Sequence, residues 1–307
     1  MSVSKFLPRF VSIGEALTDL IRIGDDNWVS KTGGAPWNVA RVMQHLGINS
    51  AFAGAISTDT FGDALWDTSM VAGLDMRFVQ RYAKSPLLAI VHEIDPPQYF
   101  FIGVDSADLH FDTQALPQGW QTQVHWAHFG GISLAREPLA SNLLTLAREL
   151  KSAGVKISYD PNFRVLMDEH YDTMLRSMSE LADVIKVSDE DLRGLFRHDD
   201  LQAALQTLRG WNPQVAILYT RGAAGASLIT QAQSWHCASR IVDVVDTVGA
   251  GDASIGGLLF SLMQHPLRDW GDHLHFAVCA GAAACTTAGA MPPALRAIEE
   301  LLTRTAP

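Results

Sequence analysis

The 307 residues contain no basic run, no cysteine framework and no apolar stretch long enough to cross a bilayer. Lysine and arginine total 23 against 33 aspartates and glutamates, for a formal net charge of −10. That balance argues against nucleic acid as a partner, because such surfaces need clustered positive charge. A polyanionic small ligand would need local positive features to overcome the overall field. The three cysteines, Cys237, Cys279 and Cys285, have neither disulfide parity nor metal-ligand spacing, and are expected to be reduced thiols of a cytoplasmic protein. Residues 1–10 lack the long apolar core of a secretory signal, which points the same way. The nearest thing to a membrane span, 276–291, is too short and too rich in Ala, Gly and Thr to cross a bilayer that takes ~20 helical residues. An early Gly-x-Gly-x-x-Gly between the first strand and helix is also missing, which argues against a nicotinamide oxidoreductase.

What the chain does have is regular alternation. Apolar runs at 10–13, 50–57, 124–131, 155–160, 183–188 and 216–222 end in glycine or polar residues, as buried parallel strands do before their loops. Segments with helical spacing follow, at 39–47, 61–73 and 138–153. Between 76 and 111 the pattern changes. Leu87–Asp95 and Tyr99–Gly103 are strand-like runs separated by Pro96-Pro97, with no helix between them, so an antiparallel hairpin is expected. With a short strand at Leu20–Gly24 it predicts a small sheet standing off the main domain, a lid or a dimer surface. The whole is expected to be one α/β domain over 1–307, doubly wound with helices on both faces. The lid strands are inserted from about 17–30 and 76–111.

Asp246-Thr-Val-Gly-Ala-Gly-Asp252 introduces a helical stretch, Ala253 to Met263. Gly249, Ala250 and Gly251 lie where that helix begins, so successive backbone N–H groups can close around an anion in the positive field of a helix N-terminus. Asp252 in that field would repel a bound phosphate, but it suits a reaction in which a hydroxyl must lose its proton. Taken alone, the string reads equally as a capped helix start. Gly33-Gly34 before a helix, with Asn38 in the first turn, reads as a ligand approach or as a tight turn.

The order of these strings carries more than any one of them. Asp246 to Leu259 is similar to the C-terminal signature of the ribokinase-like (PfkB) family of sugar and nucleoside kinases, and Gly33-Gly-Ala-Pro-Trp-Asn-Val-Ala40 resembles its N-terminal signature. Gly14-Glu15 with Asp19, Asp160-Pro-Asn-Phe-Arg164, Lys186-Val-Ser188, Thr220-Arg-Gly222 with Gly225, and Gly289-Ala-Met-Pro fall in the family's order across the chain. The strings look most like those of bacterial fructokinases. The 2-keto-3-deoxygluconate kinases carry similar ones and form the alternative, and a catalytically silent regulator on the same fold is the alternative of another class.

The resemblance implies roles. Asp252 would be the base that deprotonates a sugar hydroxyl attacking the γ-phosphorus of ATP, and the amides of Gly249, Ala250, Gly251 and Asp252 the anion hole. Asp19, Gly33, Gly34 and Asn38 would hold the sugar, with Asn162 and Arg164 between sugar and triphosphate, although a surface salt bridge explains Arg164 equally well. Lys186, Ser188, Thr220, Gly222, Gly225 and Gly251 would face ATP. Ala280, Ala283 and Ala284 would floor the adenine pocket, with core packing nearly as good an account of them. The family's Asn-x-x-Glu string is here Ser188-Asp-Glu-Asp191, so Asp191 is the expected outer-sphere Mg²⁺ contact, and Asp246 the side chain expected near an activating K⁺. Many fructokinases carry an arginine near the end of the second lid strand. Phe101-Ile-Gly-Val-Asp105 has none, which weakens the assignment to fructose. The histidines at 125, 128, 273 and 275 lack metal spacing and are expected to serve packing.

Overall fold

A computed structural model describes residues 6–94 and 97–304. In chain order its elements are β1 (Phe10–Ile13), β2 (Leu17–Arg22), β3 (Trp28–Gly33), α1 (Ala35–His45), β4 (Ser50–Ser57), α2 (Thr60–Val71), β5 (Val79–Tyr82), β6 (Leu88–Ile94) and β7 (Pro97–Ile102). There follow β8 (Trp126–Gly130), α3 (Leu139–Ser152), β9 (Lys156–Asp160), α4 (Asp172–Leu181), β10 (Val184–Ser188), α5 (Asp189–Phe196) and α6 (Leu201–Trp211). The chain ends with β11 (Ala216–Thr220), β12 (Ala226–Ile229), β13 (Ser234–Cys237), α7 (Ala250–Gln264), α8 (Trp270–Ala284) and α9 (Leu295–Thr303).

The main sheet has nine strands in the order β13-β12-β11-β10-β9-β8-β1-β4-β5. It is parallel from β11 to β5, with β12 and β13 added antiparallel. Its central strands are buried on both faces, which is why they read as continuous apolar runs. Leu143, Leu175, Leu192 and Leu205 of α3 to α6 pack on one face. Val39, Leu258, Ala280 and Ile298 of α1, α7, α8 and α9 pack on the other. The winding reverses at β1, flanked by β4 on one side and β8 on the other. A crevice at the carboxyl ends of β1 and β8 is where such a sheet binds its ligands.

The second sheet has four strands in the order β3-β2-β6-β7. The hairpin β6–β7 is antiparallel, as its sequence predicts, and β2 joins β6 in parallel. The expected turn at Pro96-Pro97 falls partly outside the described residues. Two boundaries differ from expectation. Residues 76–111 do not all belong to the lid, since Val79–Tyr82 pairs with β4 and extends the main sheet. β3 was not anticipated; its sequence, Trp-Val-Ser-Lys-Thr-Gly, lacks clean alternation and becomes a strand by pairing with all of β2. His128 and His273 serve packing as expected, each bonded to a buried serine, Ser158 at 2.8 Å and Ser261 at 2.7 Å. Among the described residues no helix is long and apolar enough to cross a membrane.

Candidate active site

The anion turn forms because Gly249 is left-handed, at φ 81°. A side chain there would be strained, and its Cβ would stand 2.8 Å from the Ala290 Cα. α7 starts at the next residue with no side-chain cap. Among the backbone hydrogen bonds of the described residues, the amides of Gly249, Gly251 and Asp252 find no acceptor, whereas Ala250 donates to the Thr247 carbonyl at 3.2 Å. The expected anion hole therefore narrows to three amides, and Ala250 closes the turn. Asp246 braces it from behind, accepting from Val248 N at 3.0 Å and from Gly289 N at 2.8 Å. The carboxylate proposed for K⁺ is thus already a clamp between two backbone segments.

Asp252 stands in the first turn of α7, and Asn38 Nδ2 donates to its Oδ2 at 2.8 Å. The helix of the first glycine motif and the helix of the second meet at this contact. Loss of hydration lifts the Asp252 carboxyl to about 7; the Asn38 bond, Lys186 and Arg164 pull it down and Asp160 pushes it up. The residue keeps partial contact with the cleft, where solvent moderates the shift. An acid poised near neutrality suits proton abstraction.

Lys186 is buried beneath the turn, its Nζ 3.3 Å from the point where a Cβ on Gly251 would stand. It lies 3.2 Å from Asp160 and 3.5 Å from Asp191. Burial opposes its charge, but Asp160, Asp191 and Asp252 together hold it protonated. It supplies the local positive charge that the acidic sequence otherwise lacks. The two acids respond differently: burial dominates at Asp160, raising it to about 6, whereas Lys186, Ser188 and the Phe163 amide hold Asp191 below the usual carboxylate range despite burial.

Ser188 and Asp191, expected to face ATP and an outer-sphere Mg²⁺, have structural partners of their own. Ser188 is the N-cap of α5, and Asp191 completes a capping box with it. Asp191 also accepts from Phe163 N at 2.8 Å and is itself buried. The Asn-x-x-Glu replacement is therefore occupied in holding α5 and the Asp160–Arg164 loop.

Among the residues expected to hold the sugar, Asp19 of β2 lies against Gly33, where a Cβ would overlap its Oδ2. Burial raises the Asp19 carboxyl to about 6 and Arg164 opposes the rise. Arg164 Nη1 donates to Asn162 Oδ1 at 2.8 Å, and its guanidinium lies 5.6 Å from the ring centroid of the lid residue Tyr99. Phe101 meets Tyr99 edge to face. The lid thus approaches the site with aromatic rings where an arginine was missed, and Arg164 answers from the main domain. Gly33→Ala is expected to displace the Asp19 carboxylate and raise the sugar KM about 10- to 100-fold, as loss of a charged hydrogen bond does. The KM for nucleotide should stay within twofold, and initial-rate kinetics checks both.

A cavity of about 430 Å³ opens beside the anion turn, lined by Thr220, Gly222, Gly225, Ala250, three residues of α8 (Val278, Gly281 and Ala282) and Cys285 at its end. Thr220, Gly222 and Gly225, expected to face ATP, line this cavity. Ala280, Ala283 and Ala284 do not, because they are buried in the core between α8 and α7. Ala280 packs on Gly257, where a Cβ would approach it to 2.6 Å. Small residues cover every face of the carboxyl half of α8, so residue type could not show which face looks outward. A polar depression of about 490 Å³ between Thr58, Asp59, Lys84 and Asp105 contains none of the expected site residues.

Sequence reading missed Arg41, which is buried one turn beyond Asn38 and donates to its Oδ1 at 3.4 Å. Helical spacing from Asn38 was the only available signal. Tyr99 was read as a strand residue alone.

The model of the pfkB family carbohydrate kinases matches residues 8–297. A fructokinase of Klebsiella pneumoniae is 32% identical over 290 residues, covering 91% of this chain and 94% of that one. An aminoimidazole riboside kinase of Salmonella typhimurium is 33% identical over 289 residues, covering 91% and 89%. The crystal structure of a fructokinase from Xylella fastidiosa with bound ATP superposes with a TM-score of 0.88 at 28% identity, covering 96% of this chain and 98% of that one. The ribokinase-like fold and a sugar phosphotransferase activity, with a hydroxyl as the acceptor group, follow from this agreement along the whole chain. The protein belongs to the pfkB family of carbohydrate kinases.

Proposed function

We propose that the protein is an ATP-dependent fructokinase, transferring the γ-phosphate to the 6-hydroxyl of D-fructose. The observation that carries this reading is the contact between Asn38 and Asp252, which brings the sugar-side helix to the base at the mouth of the anion turn. Asp252 takes the hydroxyl proton as the oxygen attacks phosphorus. The free amides of Gly249, Gly251 and Asp252, with Lys186 beneath them, stabilise the charge on the transferring group. Asp19, Gly33, Gly34 and Asn38 hold the hydroxyls, and Asn162 and Arg164 stand between sugar and triphosphate. Thr220, Gly222, Gly225, Gly281 and Ala282 receive the nucleotide.

Mg²⁺ fits this site as an ion brought by the nucleotide. It keeps several waters and takes phosphate oxygens as ligands, so it needs no protein cage. Among the described residues no group of three or more His, Cys, Asp or Glu could form one. When bound, the ion would supply neutralisation of the phosphate charge. K⁺ belongs to the same proposal at the loop that Asp246 clamps. Dimerisation through the lid is supported by Trp28, Phe100 and Ile102, which that sheet leaves exposed.

The aromatic strand β7, with no arginine at its end, favours one second reading: an acceptor carrying a flat ring, as in the riboside kinase relative. The 2-keto-3-deoxygluconate kinase alternative would place the acceptor's carboxylate near Arg164. A coupled ADP-release assay across fructose, 2-keto-3-deoxygluconate, ribose, aminoimidazole riboside and nucleosides separates these. Fructose is expected to give the highest kcat/KM. A riboside ranking first would overturn the fructose assignment while keeping the chemistry, and no turnover with any acceptor would indicate a silent regulator.

A further inference from the structure

Resting on the reading of Asp252 as the base, we propose that Arg41 is a positioning residue for it. Its guanidinium fixes which way the Asn38 amide faces, so that Asn38 presents N–H and not oxygen to the base.

Arg41 is only 8% exposed, and no carboxylate among the described residues forms an ion pair with it. Its Nε is buried with no hydrogen-bond partner. Its guanidinium lies 4.3 Å from the Trp37 ring centroid, and Nη1 reaches Asn38 Oδ1 at 3.4 Å and the Ala290 carbonyl at 3.1 Å. Burial lowers it to about 10 and the attraction of Asp252 opposes this, so the group stays charged at neutral pH. A buried, unpaired cation is a poor device for stability, since an apolar side chain of similar volume would fill the space at lower cost. Its position beside the base needs another account.

Donor chemistry supplies one. An asparagine amide can turn over with almost no change of shape, exchanging oxygen for NH₂. A guanidinium has donors only, so the atom that faces it must be the oxygen. That leaves Nδ2 directed at Asp252 Oδ2, the 2.8 Å contact observed. Turned over, Asn38 would set NH₂ against the guanidinium and oxygen against the carboxylate, which is two repulsive contacts in place of two attractive ones. The bond to Ala290 adds a second restraint. Ala290 is the residue against which Gly249 packs, so Arg41 also ties α1 to the segment behind the anion turn.

The charged groups that act on Asp252 are Asp160, Lys186 and Arg164 from the β9 and β10 side, and Arg41 from α1. Of these, Arg41 alone reaches it through Asn38. Arg41→Met is therefore expected to move the Asp252 midpoint upward by about one pH unit, the size of effect a lost favourable neighbour has. kcat/KM for the sugar at pH 6.5 should fall about tenfold and largely recover by pH 8.5. Arg41→Lys, with charge and a donor retained, should return the midpoint to within about a third of a unit of wild type.

Two measurements test this. The pH profile of kcat/KM is one. The other is the ¹³C NMR titration of aspartate carboxyls, with the Asp252 signal identified by its loss in Asp252→Asn. The second needs no turnover, so an unchanged Asp252 midpoint in folded Arg41→Met overturns the positioning role even where no acceptor is phosphorylated, and absence of turnover counts only against the sugar kinase reading. In an Asn38→Ala background the shift caused by Arg41→Met should shrink by at least half. A full shift there would show a direct field effect and also overturn the proposal. If Arg41→Met does not fold by circular dichroism, Arg41→Gln and Arg41→Lys carry the same comparison.

Discussion

Asp252→Asn is expected to lower kcat by about 10³-fold, within the range that a general base contributes, while sugar and nucleotide affinities measured by calorimetry stay within a few-fold of wild type. The substitution is nearly isosteric, and an amide oxygen at the same place still accepts from Asn38 Nδ2. Only the capacity to take a proton is lost. The wild-type pH profile should show the same group. Because its carboxyl is raised to about 7, kcat/KM should rise with pH as the base ionises and level off above neutrality. Asp19 and Asp160, both raised to about 6, should steepen the fall below that value. The residual rate of Asp252→Asn should lack the inflection near 7. A variant that keeps a tenth of the wild-type kcat, or an unaltered pH profile, would remove Asp252 from proton transfer.

Lys186→Met should have the largest effect on the protein as a whole. It leaves the buried carboxylates Asp160 and Asp191 without the cation between them, and breaking a buried pair in this way costs about 3–5 kcal/mol. For a domain of this size that lowers Tm by roughly 10 °C. The sign of the pH dependence identifies the cause. Asp160 is raised by burial even with Lys186 present, and without it the folded-state pKa rises further above the unfolded value. A carboxyl of that kind binds its proton more tightly when folded, so the cost is absent at low pH and grows as pH rises past the unfolded pKa. The Tm deficit of Lys186→Met should therefore be smaller at pH 5 than at pH 8, as scanning calorimetry would show. Catalysis should fail independently. Lys186 lies directly under Gly251, and loss of one preorganised positive group at developing charge is worth about 10²- to 10³-fold in rate. A deficit equal at both pH values would mean that the loss is one of packing and not of charge.

Both predictions use residues quoted from sequence strings, but in different ways. Asp252 and its glycine turn were legible because the chemistry there is backbone chemistry. A left-handed glycine, a helix start and an acid in the first turn are all local, and a short string specifies them. The alternation of strands and helices was legible for a related reason. Central parallel strands are buried on both faces and read as unbroken apolar runs. β3 was not, since its half-exposed residues take their conformation from pairing with β2.

Side-chain assignments followed a different rule. Asp191 was expected near a metal because Ser188–Asp191 stands where the resembled family has its Asn-x-x-Glu string, yet its oxygens are engaged by Ser188, the Phe163 amide and Lys186. Which face of α8 lines the cavity beside the anion turn depended on where α7 packs, and the carboxyl half of the helix, Ala277–Ala284, has no polar side to reveal it. Arg41 gained its place from Asn38 on its own helix and from Ala290, far along the chain. The sequence by itself therefore determined the sheet, the anion turn and the place of Asp252 in the first turn of α7, all of which depend on near neighbours. Only the tertiary structure decided which polar side chains remain free for ligands, because a buried donor or acceptor must be satisfied and its partner is most often distant in the chain.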